Sequence, residues 1–446
     1  MSRWYNILLI LCVPASSTVL SDFETLAYEE PACDYPGVSI DLSNLGLKAI
    51  RKKLTSSTEI SCLSLAENVL KNVSEDVFNE LPNLSYLNLA GNCFRQNPFE
   101  VPGSIRTLVL DNALVPERGE VRRDRVHHCG IKTKEIVNTD LDRILELKLN
   151  WSSLEKLYLH SNELTGLIFE NPGPNLTHLY LENNRLRSNN LSIPATVTHL
   201  FLSDNFINTF GQMYLEGLEV LVLDNNNITT LCITDRDGPC NYNSYDLALS
   251  RAGQLKVLSL AGNDIRFIEY FDVLNKIGLE YLDLSRNTAV AVPLITKFKN
   301  LRSLHLDEIG ISEVPDLSGL EVLETLTLKR NLIKAITAGS FQSLVVYQQL
   351  KHISLADNSI STIEPNAFDQ LKLLEEINLS GNRLSILDAS WLGSHLKLQC
   401  LRLDRNLFTG IKNMGLSSQL IVDYVNIADN PFELQTANDF QSLPGT

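Results

Sequence analysis

The dominant pattern along the chain is a short apolar alternation that returns at near-regular intervals. Leu84-x-x-Leu87-x-Leu89-x-x-Asn92 recurs as Leu154/Leu157/Leu159/Asn162, Leu176/Leu179/Leu181/Asn184, Val197/Leu200/Leu202/Asn205 and Leu218/Leu221/Leu223/Asn226. Further copies begin at Leu255, Leu279, Leu301, Leu323, Leu350, Leu374, Leu398 and Val422. An early copy begins at Ile60, a weaker one at Ile105, and a degenerate first strand covers Val38 to Leu42. Most starts lie 21 to 27 residues apart. Within x-Leu-x-Leu-x, alternate side chains of a strand point to opposite faces, so the leucines enter a core and the x positions face out. One such turn cannot bury its apolar face alone, but stacked turns share a continuous core. The predicted fold is an α/β repeat solenoid, curved into a horseshoe with a parallel β-sheet on its concave face.

The polar position that recurs after each pair of leucines is the second half of the pattern. It reads Asn68, Asn92, Asn162, Asn184, Asn205, Asn226, Asn263, Asn287, Asn331, Asn358, Asn382, Asn406 and Asn430. An amide turned inward there can bond the backbone groups that the bend leaves without partners. Ala113 and Ile309 interrupt this ladder and are expected to be weak points or bends. Several turns also carry a Phe on the outer side, namely Phe78, Phe341 and Phe368. The shorter middle turns, such as Ile193–Val197, leave room only for an extended or 3₁₀ return segment.

Two insertions break the rhythm, at about residues 113–150 and 231–250. The first is locally basic, with Arg118, Arg122, Arg123, Arg125, His127 and His128 ahead of Cys129. Its Ile144–Leu149 piece imitates a repeat but lies too close to the next one, and reads as return structure. The second contains Cys232 and Cys240. The organisation is therefore a leader over 1–21, a cap and first strand over 22–59, repeats over 60–430, and a short cap or tail over 431–446.

The leader carries Arg3, an apolar run from Ile7 to Val13, and small residues Ala15, Ser16 and Ser17, the layout of a secretory signal cleaved near Ser17 or Ser21. That run is too short to span a bilayer, and no later stretch reads as a membrane span. Sequons at Asn72, Asn83, Asn150, Asn175, Asn190, Asn227 and Asn378 agree with a secreted, extracellular glycoprotein. The net charge of −15 argues against nucleic acid and against a polybasic membrane anchor.

Removing the leader takes Cys12 and leaves seven cysteines in an oxidising compartment. The expected pairs are Cys33–Cys62, Cys93–Cys129 and Cys232–Cys240. Cys400 is left over at an outward strand position, either as an exposed thiol without consequence or as an interchain disulfide that makes a homo- or heterodimer. At the C-terminus, Asn430-Pro431-Phe432-Glu433-Leu434 leaves two readings open. Phe432, Leu434, Phe440 and Leu443 cover the last turn, or the chain is a shortened form of something longer.

Aligning the x positions gives columns of side chains on the concave face. Tyr158, Tyr180, Phe201 and Val222 form the column between the core leucines; Lys156, His178, His199 and Val220 run on one side. His160, Glu182, Ser203, Asp204 and Asp224 run on the other. Three stacked aromatics in solvent would mark a ligand-binding surface, since large exposed apolar patches and aromatic anchors characterise interfaces. Replacing them with Ala is then expected to abolish binding while leaving stability near wild type. The alternative is a cross-strand ladder that only stabilises the sheet. His178 and His199 lack a third metal ligand, and no metal or other cofactor is expected. A mixed-charge patch of Asp283, Arg286, His305, Asp307, Glu308, Lys329 and Arg330 reads as solvated surface. A glycan on Asn378 would obstruct the C-terminal part of the same face. No phosphate-binding loop, His-Glu-x-x-His or nucleophile elbow is present, so recognition of a protein or other macromolecule is expected rather than catalysis.

The repeat consensus, leader, sequons and cysteine-bearing insertions together resemble the extracellular leucine-rich-repeat superfamily over roughly residues 37–434. Insect Toll-type receptor ectodomains and mosquito leucine-rich immune proteins are the most similar in character. The resemblance implies a recognition role in innate immunity or as a receptor-like decoy. A structural or adhesive matrix protein, or a receptor ectodomain cut before its membrane span, are the alternatives.

Overall fold

The computed structural model describes residues 31–50, 57–73, 77–78, 80–94, 102–115, 129, 144–147, 152–169, 173–210, 216–233, 247–248, 252–270, 278–288, 292–344, 347–394, 397–417 and 420–432. The leader, the basic stretch of the first insertion, Cys240, Asn150, Leu434, Phe440 and Leu443 lie outside them. The chain forms two compact units, an N-terminal one over Ala27–Asp264 and a C-terminal one over Gly278–Thr446 with Ile265–Ile268.

In the N-terminal unit the repeats supply parallel strands at the anticipated positions: β1 (Val38–Asp41), β2 (Ile60–Ser64), β3 (Tyr86–Asn88), β4 (Thr107–Val109), β5 (Lys156–Tyr158), β6 (His178–Tyr180), β7 (His199–Phe201), β8 (Val220–Val222) and β9 (Val257–Ser259). From β2 onward the registers are uniform, with Leu157 opposite Leu179 and Leu179 opposite Leu200, while β1 meets β2 with a shift between Val38 and Ser39. The C-terminal unit repeats the arrangement with β10 (Tyr281–Asp283), β11 (Ser303–His305), β12 (Thr325–Thr327), β13 (His352–Ser354), β14 (Glu376–Asn378), β15 (Lys397–Arg402) and β16 (Ile421–Asn426). The consensus leucines are buried throughout; Leu87, Leu157, Leu179, Leu200, Leu304 and Leu326 expose none of their surface. Each unit is therefore a parallel-strand solenoid. Among the described residues the return segments contain 3₁₀ turns, such as Ser188–Asn190 and Ile411–Met414, where the α/β reading allowed for α-helices.

The asparagines form the expected ladder. Asn184 donates from Nδ2 to the carbonyls of Leu159 and Leu181, both at 2.9 Å, and its Oδ1 accepts the N–H groups of Asn162 and Leu164 at 3.0 Å. One buried amide thus joins its own turn to the preceding one. Asn382 does the same, donating to Leu355 and Leu379 and accepting from Ile360. At the two interruptions the following turn supplies the contacts. Asn162 Oδ1 accepts from Ala113 and Leu114, and Asn331 Oδ1 accepts from Ile309 and Gly310.

A second regularity accompanies the ladder. In each repeat from Glu67 to Asp429, the residue immediately before the ladder position is left-handed, with φ between 49° and 68°. Gly91, Gly262 and Gly381 enter this region at little cost, and Asn183 and Asn225 tolerate it. Arg286, Arg330 and Arg405 adopt it as well, so the bend that delivers the asparagine inward outweighs their local preference.

Both insertions leave the sheet without interrupting it. β4 pairs directly with β5, and β8 with β9. Ile144–Leu147 pairs with Gly166–Phe169 in a separate two-stranded sheet, as expected of return structure. The outer phenylalanines are buried and touch one another: Phe341 and Phe368 centroids are 5.3 Å apart, and Trp391 meets Phe368 edge-on at 5.7 Å.

Cys33–Cys62 and Cys93–Cys129 are disulfides, the expected pairs. Cys232 is also disulfide-bonded, while Cys240, its expected partner, falls outside the described residues. Cys400 corrects the sequence reading. It is disulfide-bonded and only 5% exposed, flanked in register by Glu376 and Tyr424, and so is not the exposed thiol that its outward strand position suggested.

Candidate functional site

The open face of the sheet, opposite the leucine core, is filled differently from turn to turn. Over the first turns it is occupied by the chain itself. Cys33 is bonded to Cys62 of β2, and Tyr86 of β3 donates its hydroxyl to the Pro31 carbonyl at 2.8 Å. Tyr35 hydrogen-bonds Thr107 of β4 at 2.9 Å, with the Arg106 guanidinium 5.6 Å from its ring centre. The Pro31–Tyr35 segment thus covers one column from β2 to β4. Nothing in the repeat pattern announces this crossing; the only signal is the spacing of Cys33 and Cys62.

The aromatic ladder begins on the next strand. Tyr158 and Tyr180 stack with centroids 4.1 Å apart and planes 4° from parallel, and Tyr180 and Phe201 follow at 4.7 Å and 3°. The in-register parallel strands produce this directly, since equivalent residues on neighbouring strands lie about 4.8 Å apart. The same spacing corrects the expectation of exposure. Rings this close cover each other's faces, and Tyr158, Tyr180 and Phe201 are only 5%, 9% and 6% exposed. They are structural as well as superficial, so their replacement by Ala will not leave stability near wild type. Burial raises the Tyr158 hydroxyl well above the ordinary phenolic range, reinforced by the Tyr180 hydroxyl beside it.

Beside the rings, His178 and His199 stack at 4.2 Å and lie half-buried next to Lys156. Each pairs its Nδ1 with the hydroxyl of the preceding threonine, Thr177 or Thr198, at 2.8 Å. Burial holds His178 down at about 4, helped by His199 and Lys156, and lowers His199 for the same primary reason. Both imidazoles are therefore neutral at physiological pH. Among the described residues no group of three or more His, Cys, Asp and Glu side chains is placed to hold a metal ion.

On the opposite side of the rings runs a column rich in carboxylates. Asp111 accepts the His160 N–H at 2.6 Å, and Asp224 accepts the Ala261 N–H and the Ser259 hydroxyl at 2.9 and 2.6 Å. Asp204, exposed at the rim, accepts from the Asn225 amide. Asp111 and Asp224 thus join successive turns. Glu182, between them, does not: it is 6% exposed, and neither carboxylate oxygen has a hydrogen-bond partner. Burial drives its acidity up to about 8, and Asp111 and Asp204 add repulsion that the nearby backbone only partly offsets. All the sequence-predicted site residues therefore share one face, but Lys156, His160, His178, His199, Asp204 and Asp224 present its accessible part.

The mixed-charge patch of the C-terminal unit is internally paired. Arg330 meets Glu308 at 2.9 Å, Lys329 lies 4.0 Å from Asp307, and His305 is held between Ser303 and Thr327. Asn378 lies half-buried on this face, its Oδ1 accepting from the N–H and hydroxyl of Ser380. Asn72, Asn83, Asn175 and Asn227 are exposed. No helix among the described residues is long and apolar enough to cross a membrane.

Comparisons with known proteins agree with the repeat geometry. Family models described as leucine-rich repeat match residues 321–384 and 153–174. Podocan-like protein 1 of Mus musculus is 26% identical over 88% of this chain and 73% of its own length. Its Homo sapiens counterpart is 26% identical over 91% and 85%. Toll-like receptor 8 of Homo sapiens is 24% identical over 78% of this chain, a stretch that makes up 37% of the receptor. Among solved structures, an LRR protein of Leptospira interrogans superposes with a TM-score of 0.57 at 24% identity, covering 91% of this chain and 93% of its own, a likeness of fold. Leucine columns, asparagine ladder and family matches together make this chain a leucine-rich-repeat protein, similar to podocan-like proteins and to the ectodomains of Toll-type receptors.

Proposed function

We propose that the chain is a secreted binding protein that recognises a protein ligand on the open face of β5 to β8, between Lys156 and Asp224. The observation that carries this reading is the sharp change of surface at β5. From β2 to β4 one column of the face is covered by Pro31–Tyr35; from β5 the face carries an aromatic ladder edged by neutral histidines on one side and carboxylates on the other. Aromatic bodies with polar rims are the composition of interface hot spots. The carboxylate column favours a protein ligand over nucleic acid, whose phosphates it would repel. Secretion is supported by the disulfides, which persist in oxidising compartments. Similarity to Toll-like receptor 8 supports a receptor-like or decoy role in innate immunity. A glycan on Asn378 would close the corresponding face of the C-terminal unit and leave the N-terminal one open.

The test uses rim residues, because the buried rings cannot be removed without damage to the fold. The secreted protein captures its ligand from native extracellular fluid, and capture is repeated with Lys156→Glu/Asp204→Lys. Loss of capture with an unchanged unfolding transition supports the site; undiminished capture rejects it.

A further inference from the structure

Glu182 is the least explained side chain on this face. A buried carboxyl without a hydrogen-bond partner is costly, and native proteins seldom tolerate one without a use. Its equivalents two turns away on either side show what the position does when it serves only the fold. Asp111 and Asp224 each accept the backbone N–H of the next turn, at 2.6 and 2.9 Å. Glu182 has one more methylene, overshoots that N–H, and leaves both oxygens without partners beside the rings.

We infer that Glu182 is the anchor for an arginine side chain of the protein ligand, which would enter along the edges of the Tyr158–Tyr180–Phe201 stack and place its guanidinium on the carboxylate. This rests on the reading of the β5–β8 face as the binding surface and names the chemistry it selects. Arginine fits better than lysine for two reasons. Its planar fork offers paired donors to the two unpartnered oxygens of Glu182. Its apolar stem can lie along ring edges while the charge is held at the end. His160 and Ser203, flanking Glu182 in its column, are partly exposed and open the position to the outer surface.

The charged and titratable groups around Glu182 reinforce the choice of a cation. Asp111 and His160 face it from the preceding turns, Tyr180 from its own strand, and Asp204 and Asp224 from the following turns. Lys156, His178 and His199 stand one column beyond the rings. Both of those histidines are held toward their neutral forms by burial. The carboxylates Asp111 and Asp204 are the charges that act on Glu182 most directly. In the free protein Glu182 keeps its proton at neutral pH, and an arriving guanidinium displaces it.

The experiment follows that proton. The whole chain is prepared with carbon-13 at the glutamate carboxyls, and the Glu182 resonance is identified by its absence in Glu182→Gln, an isostere of the protonated side chain. Its titration is followed by NMR alone, with N-acetyl-arginine methylamide, and with the citrulline analogue, which has the same shape but no charge. The expected result is a midpoint lowered by about one unit or more with the arginine probe, as for a carboxylate gaining an adjacent cation, and unmoved by citrulline. An unmoved midpoint with arginine, or an equal movement of exposed glutamates, overturns the proposal. Such a failure leaves the wider reading standing, because that reading is judged separately by ligand capture with the Lys156 and Asp204 variant.

Discussion

The two units use the same scaffold and fill its open face in opposite ways. In the C-terminal unit the face over β10 to β12 is small, polar and self-satisfied, whereas His352 and Ser354 on β13 bury polar atoms without hydrogen-bond partners. Ser303, Thr325 and Thr327 occupy the columns, and His305 has both ring nitrogens engaged by Ser303 and Thr327. Glu324 is held by Arg302 and Lys351 at 2.6 and 2.7 Å, and Arg330 by Glu308. In the N-terminal unit, β5 to β7 carry large rings, histidines bonded through only one nitrogen to a neighbouring threonine, and a carboxyl with no partner. The leucine and asparagine positions are equivalent in both. A repeat scaffold therefore fixes the fold with its inward residues and leaves the outward ones to be closed or left unfinished, and an unfinished face is where a ligand can contribute.

The largest effect should separate the two faces by stability alone. Replacing Tyr158, Tyr180 and Phe201 with Ala is expected to cost roughly 3 kcal/mol per ring, because each loses buried stacking area and leaves a cavity. Thr327→Ala, at the equivalent column of the C-terminal unit, should cost about 1 kcal/mol, the net value of a hydrogen bond. Urea denaturation followed by far-UV circular dichroism measures both; equal costs would break the comparison.

The inward positions should show no such contrast. Asn184→Ala and Asn382→Ala each strand several buried backbone groups, so each should cost on the order of 3 kcal/mol. Hydrogen exchange of the amides those side chains hold, at Leu164 and Ile360, should accelerate to a similar degree. Protection retained in one unit alone would show that its ladder is dispensable.

Glu182 provides a pH signature, and burial moves its counterpart Asp307 in the C-terminal unit in the same direction. The acidity of Glu182 is pushed from the ordinary 4.5 up to about 8 in the fold. Between those values the unfolded chain holds an ionised carboxylate while the native chain holds the proton. The stability gained from the protonated form is thus complete below about pH 4.5 and is lost as pH rises through about 8. The loss should reach a few kcal/mol at most, and Glu182→Gln should flatten that part of the pH–stability curve. An unchanged curve would mean that the carboxyl finds a partner in solution. The smallest effect should come from the paired surface of the C-terminal unit. Arg330→Ala removes an exposed ion pair with Glu308 and should change stability by less than about 1 kcal/mol, with further reduction in high salt.

Much of the fold was legible because its causes are periodic. Leucines at fixed offsets specify which face is buried, and the asparagine that follows specifies the bend. Interruptions at residues 113 and 309 were visible for the same reason. The left-handed residue before each asparagine could have been read from Gly91, Asn183, Asn225 and Gly381, but Arg286, Arg330 and Arg405 in the same place hide the rule. The site was legible as a set of columns and not as a surface. Alternation assigns Tyr158, Tyr180 and Phe201 to one face, whereas their burial depends on 4.1 and 4.7 Å contacts between strands that no single strand encodes. Cys400 and the covering Pro31–Tyr35 segment escaped notice because both depend on contacts between residues far apart in the chain.

The ligand should bind the unfinished face and not the closed one. Charge reversal at rim positions decides it: Lys156→Glu/Asp204→Lys in the N-terminal unit against Arg330→Glu/Glu308→Lys, exposed residues just before the ladder position like Asp204, in the C-terminal unit, with affinity for the captured ligand measured by surface plasmon resonance. A loss of at least tenfold, about 1.4 kcal/mol, is expected for the first variant with the second near wild type. Equal losses, or a loss confined to the second, would show that the ligand does not bind at β5 to β8.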